Sequence, residues 1–299
     1  MGNGICYRGP FAIWEEAMKK PMESAMRVVF LVAACASILA VALICIFLFA
    51  NGIPAMGKIG VLKFLTGQKW KPGNDIYGIL PMILGSFYVT AGALMIGVPI
   101  GILTSIYMAR FCPKGLYRFL KPAVGLLAGI PSVVYGFFGM VVLVPIVRDL
   151  TGTDGNSIFT ASLLLGMMIL PTIIEVSESA LRAVPESYYE GGLALGASHE
   201  RSVFFTVLPA AKSGIFAGVI LGIGRAIGET MAVIMVAGNQ ARMPAGLFKG
   251  VRTLTTNIVM EMGYAADLHR EALIATAVVL FVFILIINTA FSLVKRRMA

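Results

Sequence analysis

Six long apolar stretches constrain this chain more than any other feature. A helix needs about 20 apolar residues to cross the roughly 30 Å hydrocarbon core of a bilayer. Hydrophobic residues make up 58% of the 299 positions and charged residues 13%, with a mean hydropathy of +0.88. This composition excludes a soluble enzyme, a disordered chain and a disulfide-stapled secreted module. We predict an all-α polytopic membrane protein with six transmembrane helices, in residues 28–50, 81–109, 122–147, 159–174, 213–237 and 272–294.

Basic residues predict how these helices are oriented. The net charge is +9, and in a soluble protein it would indicate nucleic-acid binding. In a membrane protein, Lys and Arg instead hold loops on the cytoplasmic side. Their excess in alternate loops predicts that both termini are cytoplasmic and that no nucleic acid is bound. Residues 1–27 are predicted to form a cytoplasmic amphipathic arm, whose interfacial helix ends near Pro21, and residues 28–299 the membrane domain.

Glycine pairs within the apolar stretches indicate where helices approach closely. Small residues four positions apart lie on one helix face and let two backbones come together in lipid. The pairs and rows that have this spacing are Gly97 and Gly101; Gly125 and Gly129; Gly214, Gly218 and Gly222; and Gly224 and Gly228.

The chain has few residues of the kinds that enzymes and metal sites use. Its four cysteines are Cys6, Cys35, Cys45 and Cys112, and their spacing predicts neither a disulfide nor a metal site. Gly52, Gly57 and Lys58 match part of a phosphate-binding loop, but Ile59 stands where a Mg²⁺-binding Ser or Thr is required. His199 and His269 are the two histidines of the sequence, and two scattered histidines support neither a Ser–His–Asp arrangement nor a histidine metal site. We expect no enzymatic activity.

Two charges, Arg225 and Glu229, interrupt the fifth apolar stretch. Each charge is unfavourable by about 2.5–3.5 kcal/mol at the centre of a bilayer. If the stretch is one helix, the two residues share a face, and Arg225 lies about 18 Å from its start. They either neutralise each other as a structural ion pair or line a polar pathway. Arginine binds oxyanions with a planar fork of donors, and a carboxylate accepts from a protonated oxyanion, so the pair favours phosphate over sulfate.

The segment after the fourth stretch has a distinctive spacing. Glu190 is followed by Gly196, and then, after nine residues, by a four-residue group that ends with Leu208 and Pro209. A short helix ended by Gly196 and a second one before Pro209 would make a rigid knob in residues 181–212. Glu178 and Arg182, four residues apart, are interpreted as a structural pair at the start of this loop.

This spacing resembles the EAA loop of ABC importer permeases, although Gly191, Gly192 and Thr206 replace its two alanines and its isoleucine. The chain is similar to the phosphate-specific Pst permeases, and to the PstC-like type more than to the PstA-like type. This likeness is carried by residues 70–72 (WKP), 77–81 (YGILP), 85–90 (GSFYVT), 130–136 (IPSVVYG), 170–174 (LPTII), 224–239 (GRAIGETMAVIMVAGN) and 253–257 (TLTTN). It covers most of the chain from about residue 70 onward.

The resemblance implies a type I ABC importer permease fold with its core in about residues 81–294, in the cytoplasmic membrane. It also implies a second, PstA-like permease, a PstB-like ATPase dimer that carries the ATP and Mg²⁺, and a PstS-like external phosphate-binding protein. No cofactor belongs to this chain itself. Arg225 and Glu229 would meet phosphate, and Glu190, Gly196, Leu208 and Pro209 would belong to the coupling loop. The alternatives are a permease for sulfate, molybdate or phosphonate and, from another class, a stand-alone secondary transporter.

Overall fold

The computed structural model describes residues 10–298, and the side chains of residues 25–293. Nearly every element is a helix. Two units are distinguished, residues 1–50 and 51–299. The first half of the chain contains α1 (Pro10–Ile59), α2 (Val61–Thr66), β1 (Trp70–Lys71), β2 (Ile76–Tyr77), α3 (Leu80–Ile106), α4 (Lys114–Gly129), α5 (Ser132–Phe138) and α6 (Val144–Thr151). The second half contains α7 (Ile158–Arg182), α8 (Glu186–Ala194), α9 (His199–Ser202), α10 (Leu208–Gly228), α11 (Met231–Val236), α12 (Leu254–Met262) and α13 (Asp267–Met298).

Six helical segments are long and apolar enough to cross a membrane, so the prediction of six transmembrane helices is confirmed. Two of them join consecutive helices through a π turn, in which the helix has one extra residue per turn, and a third ends with such a turn. The segments are Ala25–Ile59, Leu80–Phe111, Ser132–Thr151, Ile158–Arg182, His199–Gly228 and Asp267–Leu293.

The third segment begins ten residues later than the sequence predicted. Residues 122–147 are not one helix, because α4 ends at Gly129 and α5 begins at Ser132. Between them Ile130 is extended (φ −68°, ψ 125°) and is followed by Pro131. A residue before proline is driven out of the helical region by the proline ring. The prediction for residues 122–131 was therefore wrong, and α4 is a separate helix.

Two other predicted boundaries also differ. No helix end occurs near Pro21, since α1 runs without a break from Pro10 to Ile59. The fourth stretch, predicted over residues 159–174, continues to Arg182 and carries Glu175 and Glu178 within the helix. Apolar runs underestimate a helix whose last turns are charged.

A proline follows each of the three π turns. The turns Tyr107–Phe111, Gly139–Leu143 and Val203–Val207 each end two positions before a proline, which is Pro113, Pro145 and Pro209, respectively. Proline lacks an N–H group, and its ring clashes with the carbonyl four residues earlier. A widened turn relieves this conflict. The helix continues after the turns before Pro145 and Pro209, whereas the turn before Pro113 is the last of its helix.

The centre of the second unit is a close packing of α3, α7 and α10. A Cβ atom on Gly97 would lie 2.8 Å from the side chain of Ile169, and one on Gly101 would lie 2.8 Å from that of Ile173. On α10, Gly222 would meet Ile173 at 3.0 Å. These glycines therefore let the three helices approach closely, as the sequence predicts. The contacts also show that α3 and α7 run parallel, since higher numbers on one meet higher numbers on the other.

The end of the membrane domain where α3 begins has a buried polar cluster, which we call the Glu261 cluster (Trp70, Arg252, Glu261 and His269). The indole Nε1 of Trp70 donates to Glu261 Oε2 at 2.8 Å, and His269 Nε2 lies 2.8 Å from the same oxygen. Arg252 binds the other oxygen of Glu261. The carboxylate is thus satisfied from three sides, as a buried charge requires, and it holds the hairpin β1–β2 against α12 and α13.

We predict that Gly85→Ala destabilises the protein by about 1–3 kcal/mol. Gly85 lies in α3, and a Cβ atom there would be 2.4 Å from the backbone carbonyl oxygen of Arg252, which cannot rotate away. Gly115→Ala in α4 is the matched control, because nothing lies within 4 Å of its Cβ position. Thermal unfolding of the purified variants in detergent measures both. A Gly85→Ala protein as stable as the control would contradict the packing described here.

Candidate functional site

The fifth span breaks next to its two charges. The helix α10 ends at Gly228, Glu229 is extended (φ −69°, ψ 133°), and α11 begins at Met231. The sequence predicted one helix over residues 213–237, and that prediction was wrong at this point. Arg225 and Glu229 consequently do not share a helix face. Glycines at positions 224 and 228 disfavour a continuous helix. The side chain of Glu229 compensates for the break by accepting hydrogen bonds from the backbone N–H groups that the break leaves without a partner.

Glu229 acts as a cap for the short helix that follows it. Its Oε1 accepts hydrogen bonds from the backbone N–H of Thr230 at 3.1 Å and of Ala232 at 3.3 Å. The hydroxyl of Thr255 donates to the Glu229 carbonyl at 3.1 Å. Backbone groups freed within a membrane need such partners. One oxygen of the carboxylate, Oε2, makes no hydrogen bond with any described residue.

Arg225 is half-buried and has no carboxylate partner among residues 25–293. Its Nη1 donates to the hydroxyl of Thr172 on α7 at 3.3 Å. Its charge also acts on the hydroxyl of Tyr135, which donates to the carbonyl of Leu127 at 3.0 Å. The structural ion pair with Glu229 is therefore not formed. A guanidinium left unpaired in a membrane span faces a watery cavity or a partner.

Three glycines in and near the fifth span have empty space beside them. Nothing lies within 4 Å of a Cβ atom placed on Gly129, Gly224 or Gly228. The sequence predicted that these glycines, like those at the centre, let helices approach, but no neighbouring helix of the described residues lies within 4 Å of their Cβ positions. Gly224 and Gly228 lie one and three residues from the half-buried Arg225 on α10, so the arrangement leaves room for an anion or for a second chain.

The predicted coupling loop begins as expected. Glu190 lies exposed on α8, which ends at Ala194, and Gly196 is left-handed (φ +84°). The carbonyls of Gly192 and Leu193 accept from the N–H groups of Ala197 and Gly196, which is how a glycine ends a helix. Leu195 beside this turn has 91% of its surface exposed. A large apolar side chain at the tip of a polar loop indicates a contact surface.

The second half of the loop differs from the prediction. No helix ends before Pro209, because α9, the π turn and α10 form the continuous segment His199–Gly228. Leu208 and Pro209 therefore lie in the first turn of α10. The knob is made by α8 folding onto this segment, since a Cβ atom on Gly192 would lie 2.4 Å from the hydroxyl of Ser202.

A buried carboxylate anchors the base of this loop. The Glu178 side chain is 2% exposed and binds Arg182 Nε at 2.7 Å, so the predicted Glu178–Arg182 pair is confirmed. It also accepts from the Tyr117 hydroxyl at 2.7 Å and from Lys121 Nζ at 2.8 Å, both on α4. Burial lowers the pKa of Lys121, but the hydrogen bond and charge of Glu178 outweigh this effect and leave the pKa raised. Sequence spacing could not reveal these partners, which come from another helix.

Thr172 and the Glu261 cluster were also missed by the sequence reasoning. Thr172 lies in the quoted stretch 170–174, directly after Pro171, and its hydroxyl is the hydrogen-bond partner of Arg225. In the sequence, Thr172 was marked by nothing except its position in that stretch. Glu261 lies outside every apolar run and every quoted stretch, so nothing singled it out.

A family model described as "Binding-protein-dependent transport system inner membrane component" matches residues 97–299. The chain belongs to this family. Among curated proteins, the probable ABC transporter permease protein YqgH of Bacillus subtilis is 40% identical over 86% of this chain and 88% of its own length. The phosphate transport system permease protein PstC of Mesorhizobium japonicum is 35% identical over 82% and 81%. This family member is thus a multi-pass membrane protein.

Solved structures show the fold. The MetNI methionine ABC transporter, in an inward-facing conformation, has a chain with a TM-score of 0.55 and 22% identity, covering 74% of this chain and 94% of that one. A bacterial alginate ABC transporter in complex with a pentasaccharide-bound periplasmic protein gives 0.60 at 16% identity, covering 95% and 97%. The predicted type I ABC importer permease fold is confirmed.

We predict that Glu229→Ala lowers the free energy of unfolding by about 1 kcal/mol, the usual effect of losing a helix cap. Glu229→Gln keeps an oxygen that accepts from Thr230 and Ala232, so it is expected to remain within a few tenths of a kcal/mol of wild type. Thermal unfolding in detergent distinguishes the two. Equal losses would show that the charge, and not the cap, stabilises the break.

Proposed function

We propose that this chain is the transmembrane permease subunit of an ATP-driven importer of inorganic phosphate. It forms half of the translocation pathway and couples to an ATPase through the loop in residues 181–212. The observation that carries the proposal is Arg225, which lies half-buried in a membrane span and donates only to the hydroxyl of Thr172 among the described residues. Relatives that cover about four-fifths of the chain are phosphate transport system permeases.

The chemistry of Arg225 fits a tetrahedral oxyanion. A guanidinium offers five donors in a planar fork, and the described residues occupy one of them, the Nη1 that donates to Thr172. The hydroxyl of Thr172, 3.3 Å away, adds a group that can donate to a second oxygen of the anion. Desolvation by the surrounding span strengthens both interactions relative to water.

Glu229 supplies discrimination between anions in this proposal. Oε1 is occupied by the backbone of α11, whereas Oε2 is unused by the described residues. A free carboxylate oxygen accepts a hydrogen bond from the P–OH group of HPO₄²⁻ or H₂PO₄⁻. Sulfate carries no proton at neutral pH and would be repelled. A site that demands a hydrogen bond rejects an analogue that lacks the donor.

The remaining components follow from the family. A PstA-like permease would complete the pathway, a PstB-like ATPase dimer would hold ATP and Mg²⁺, and a PstS-like protein would deliver phosphate from outside. This chain would hydrolyse no ATP itself and would contact membrane lipid through its apolar surface. Its Glu190, Gly196, Leu208 and Pro209 belong to the coupling loop. Six spans place both termini on one side, and the Lys and Arg excess favours the cytoplasmic side of the inner membrane.

Uptake of labelled phosphate into vesicles that hold the full complex, with ATP enclosed, tests the site. We predict that Arg225→Ala lowers the uptake rate about 100-fold, the effect of losing a charged hydrogen bond. Arg225→Lys should retain part of the rate, since it keeps the charge but not the fork. Arg148→Ala, which removes an exposed arginine paired with Asp149, is the control and should stay within about two-fold of wild type.

Competition in the same vesicles identifies the substrate. Excess sulfate or molybdate, neither of which carries a proton at neutral pH, should leave phosphate uptake unchanged, and block by either would assign the permease to that oxyanion instead. A phosphonate keeps a P–OH group, so it is tested as labelled phosphonate, and uptake faster than that of phosphate would assign the permease to phosphonate. Uptake that persists without ATP would indicate a stand-alone secondary transporter, and full activity in Arg225→Ala would give Arg225 a purely structural role.

The coupling loop generates a separate prediction. Leu195→Ala is expected to weaken ATPase binding about ten-fold, because exposed apolar anchors dominate interface affinity. Leu150 at the end of α6 is 81% exposed and lies toward the opposite membrane face, so Leu150→Ala is the matched control. Titration of the ATPase subunit against purified permease measures both affinities. Equal affinities for the two variants would argue against this loop tip as the contact.

A further inference from the structure

Glu175 is a charged residue in a membrane span, and no side chain among residues 25–293 forms a hydrogen bond or ion pair with it. It lies within α7, three residues after Thr172 and three before Glu178. The side chain is half-exposed. Glu178 and Glu261, by contrast, are each bound by three side chains.

The surroundings of Glu175 are open. Its Oε1 is 4.0 Å from a Cβ position built on Gly125 of α4, and no other atom lies within 4 Å of that position. The negative charge of Glu175 also acts on Lys121, one turn earlier on α4. Glu175 therefore faces the gap beside α4, and the glycine keeps that gap unobstructed. A charged group in a span that has no internal partner lines water.

The position of Glu175 relative to Arg225 is defined by α7. Thr172, the partner of Arg225, is one helical turn away, about 4.5 Å along the axis. Glu175 is on the side nearer the coupling loop, because α7 runs from Ile158 toward Arg182, where that loop begins. An anion that leaves Arg225 toward the coupling-loop side therefore passes Glu175 next.

We propose that Glu175 is a release residue, a fixed negative charge that weakens phosphate binding at Arg225 from the cytoplasmic side and limits back-binding of imported phosphate. This inference rests on the proposed phosphate function. An importer has to lose the anion that its guanidinium attracts, and Lys121 nearby adds a further attraction. A carboxylate beside the exit offsets both. A unit charge about 10 Å away in a partly solvated site changes the affinity of an anion by about ten-fold.

Inhibition by phosphate inside the vesicle tests the proposal. The complete importer is reconstituted with ATP enclosed, the lumen is loaded with graded inorganic phosphate, and initial uptake of labelled phosphate from outside is measured. For Glu175→Gln we expect the inhibition constant of internal phosphate to fall about ten-fold, with the external KM unchanged. Glu175→Asp keeps the charge and should retain the wild-type constant. Glu271→Gln is the control, because it removes an acid paired with Lys58 at the hairpin end and should change neither value.

Other outcomes overturn the proposal in distinguishable ways. An internal inhibition constant in Glu175→Gln equal to that of wild type would refute the release role while leaving phosphate import intact. A second neutral variant, Glu175→Thr, provides the same measurement if Glu175→Gln does not assemble. If neither neutral variant assembles while Glu175→Asp does, the charge is structural and the release role is refuted. A wild-type complex that imports no phosphate would instead refute the proposed function, and this inference with it.

Discussion

Backbone polar groups within a bilayer have no water to bind, and this constraint explains how the fifth span and two of the π turns depart from a regular helix. At each of these places a substitute partner or a modified turn is available. Oε1 of Glu229 accepts from the backbone N–H groups of Thr230 and Ala232, which the break after Gly228 exposes. Before Pro145 and Pro209, a π turn lets the helix continue despite the missing donor. The break at Glu229 is thus compatible with the membrane because the residue that interrupts the helix also caps the next one.

Charge partnering separates structural from functional groups. At the two ends of the membrane domain, Glu178 and Glu261 are buried and fully bound, and each ties together helices that are distant in sequence. Between them, Arg225 and Glu175 have no ion-pair partner among the described side chains and face space left open by glycines. Glycine has opposite effects at two positions: at Gly101 it allows close packing against another helix, and at Gly224 it leaves empty space. The difference depends on whether another helix lies opposite the glycine.

The sequence predicted several features well, for identifiable reasons. Six spans were countable because hydrocarbon thickness sets a minimum apolar length, and the Glu178–Arg182 pair followed from helical spacing. Predictions failed where a local break overrode the apolar pattern, at Pro131 and at Glu229. The sequence could not predict the contacts of Thr172, Tyr117 and Lys121, because each binds a residue on another helix. The roles of Arg225, Glu229 and the coupling-loop residues remain predictions.

Composition and spacing by themselves determined that this chain spans a membrane six times, that the fifth span carries an arginine and a glutamate, and that a loop with fixed spacing follows the fourth. These are properties of residues close together in sequence. Only the tertiary structure decided that Arg225 binds Thr172, that Glu229 caps a helix, and that Glu175 lies beside Gly125 with no ion pair to a described side chain. Helices distant in sequence determine those contacts. A charge in a membrane span is structural or functional according to what the neighbouring helix places against it.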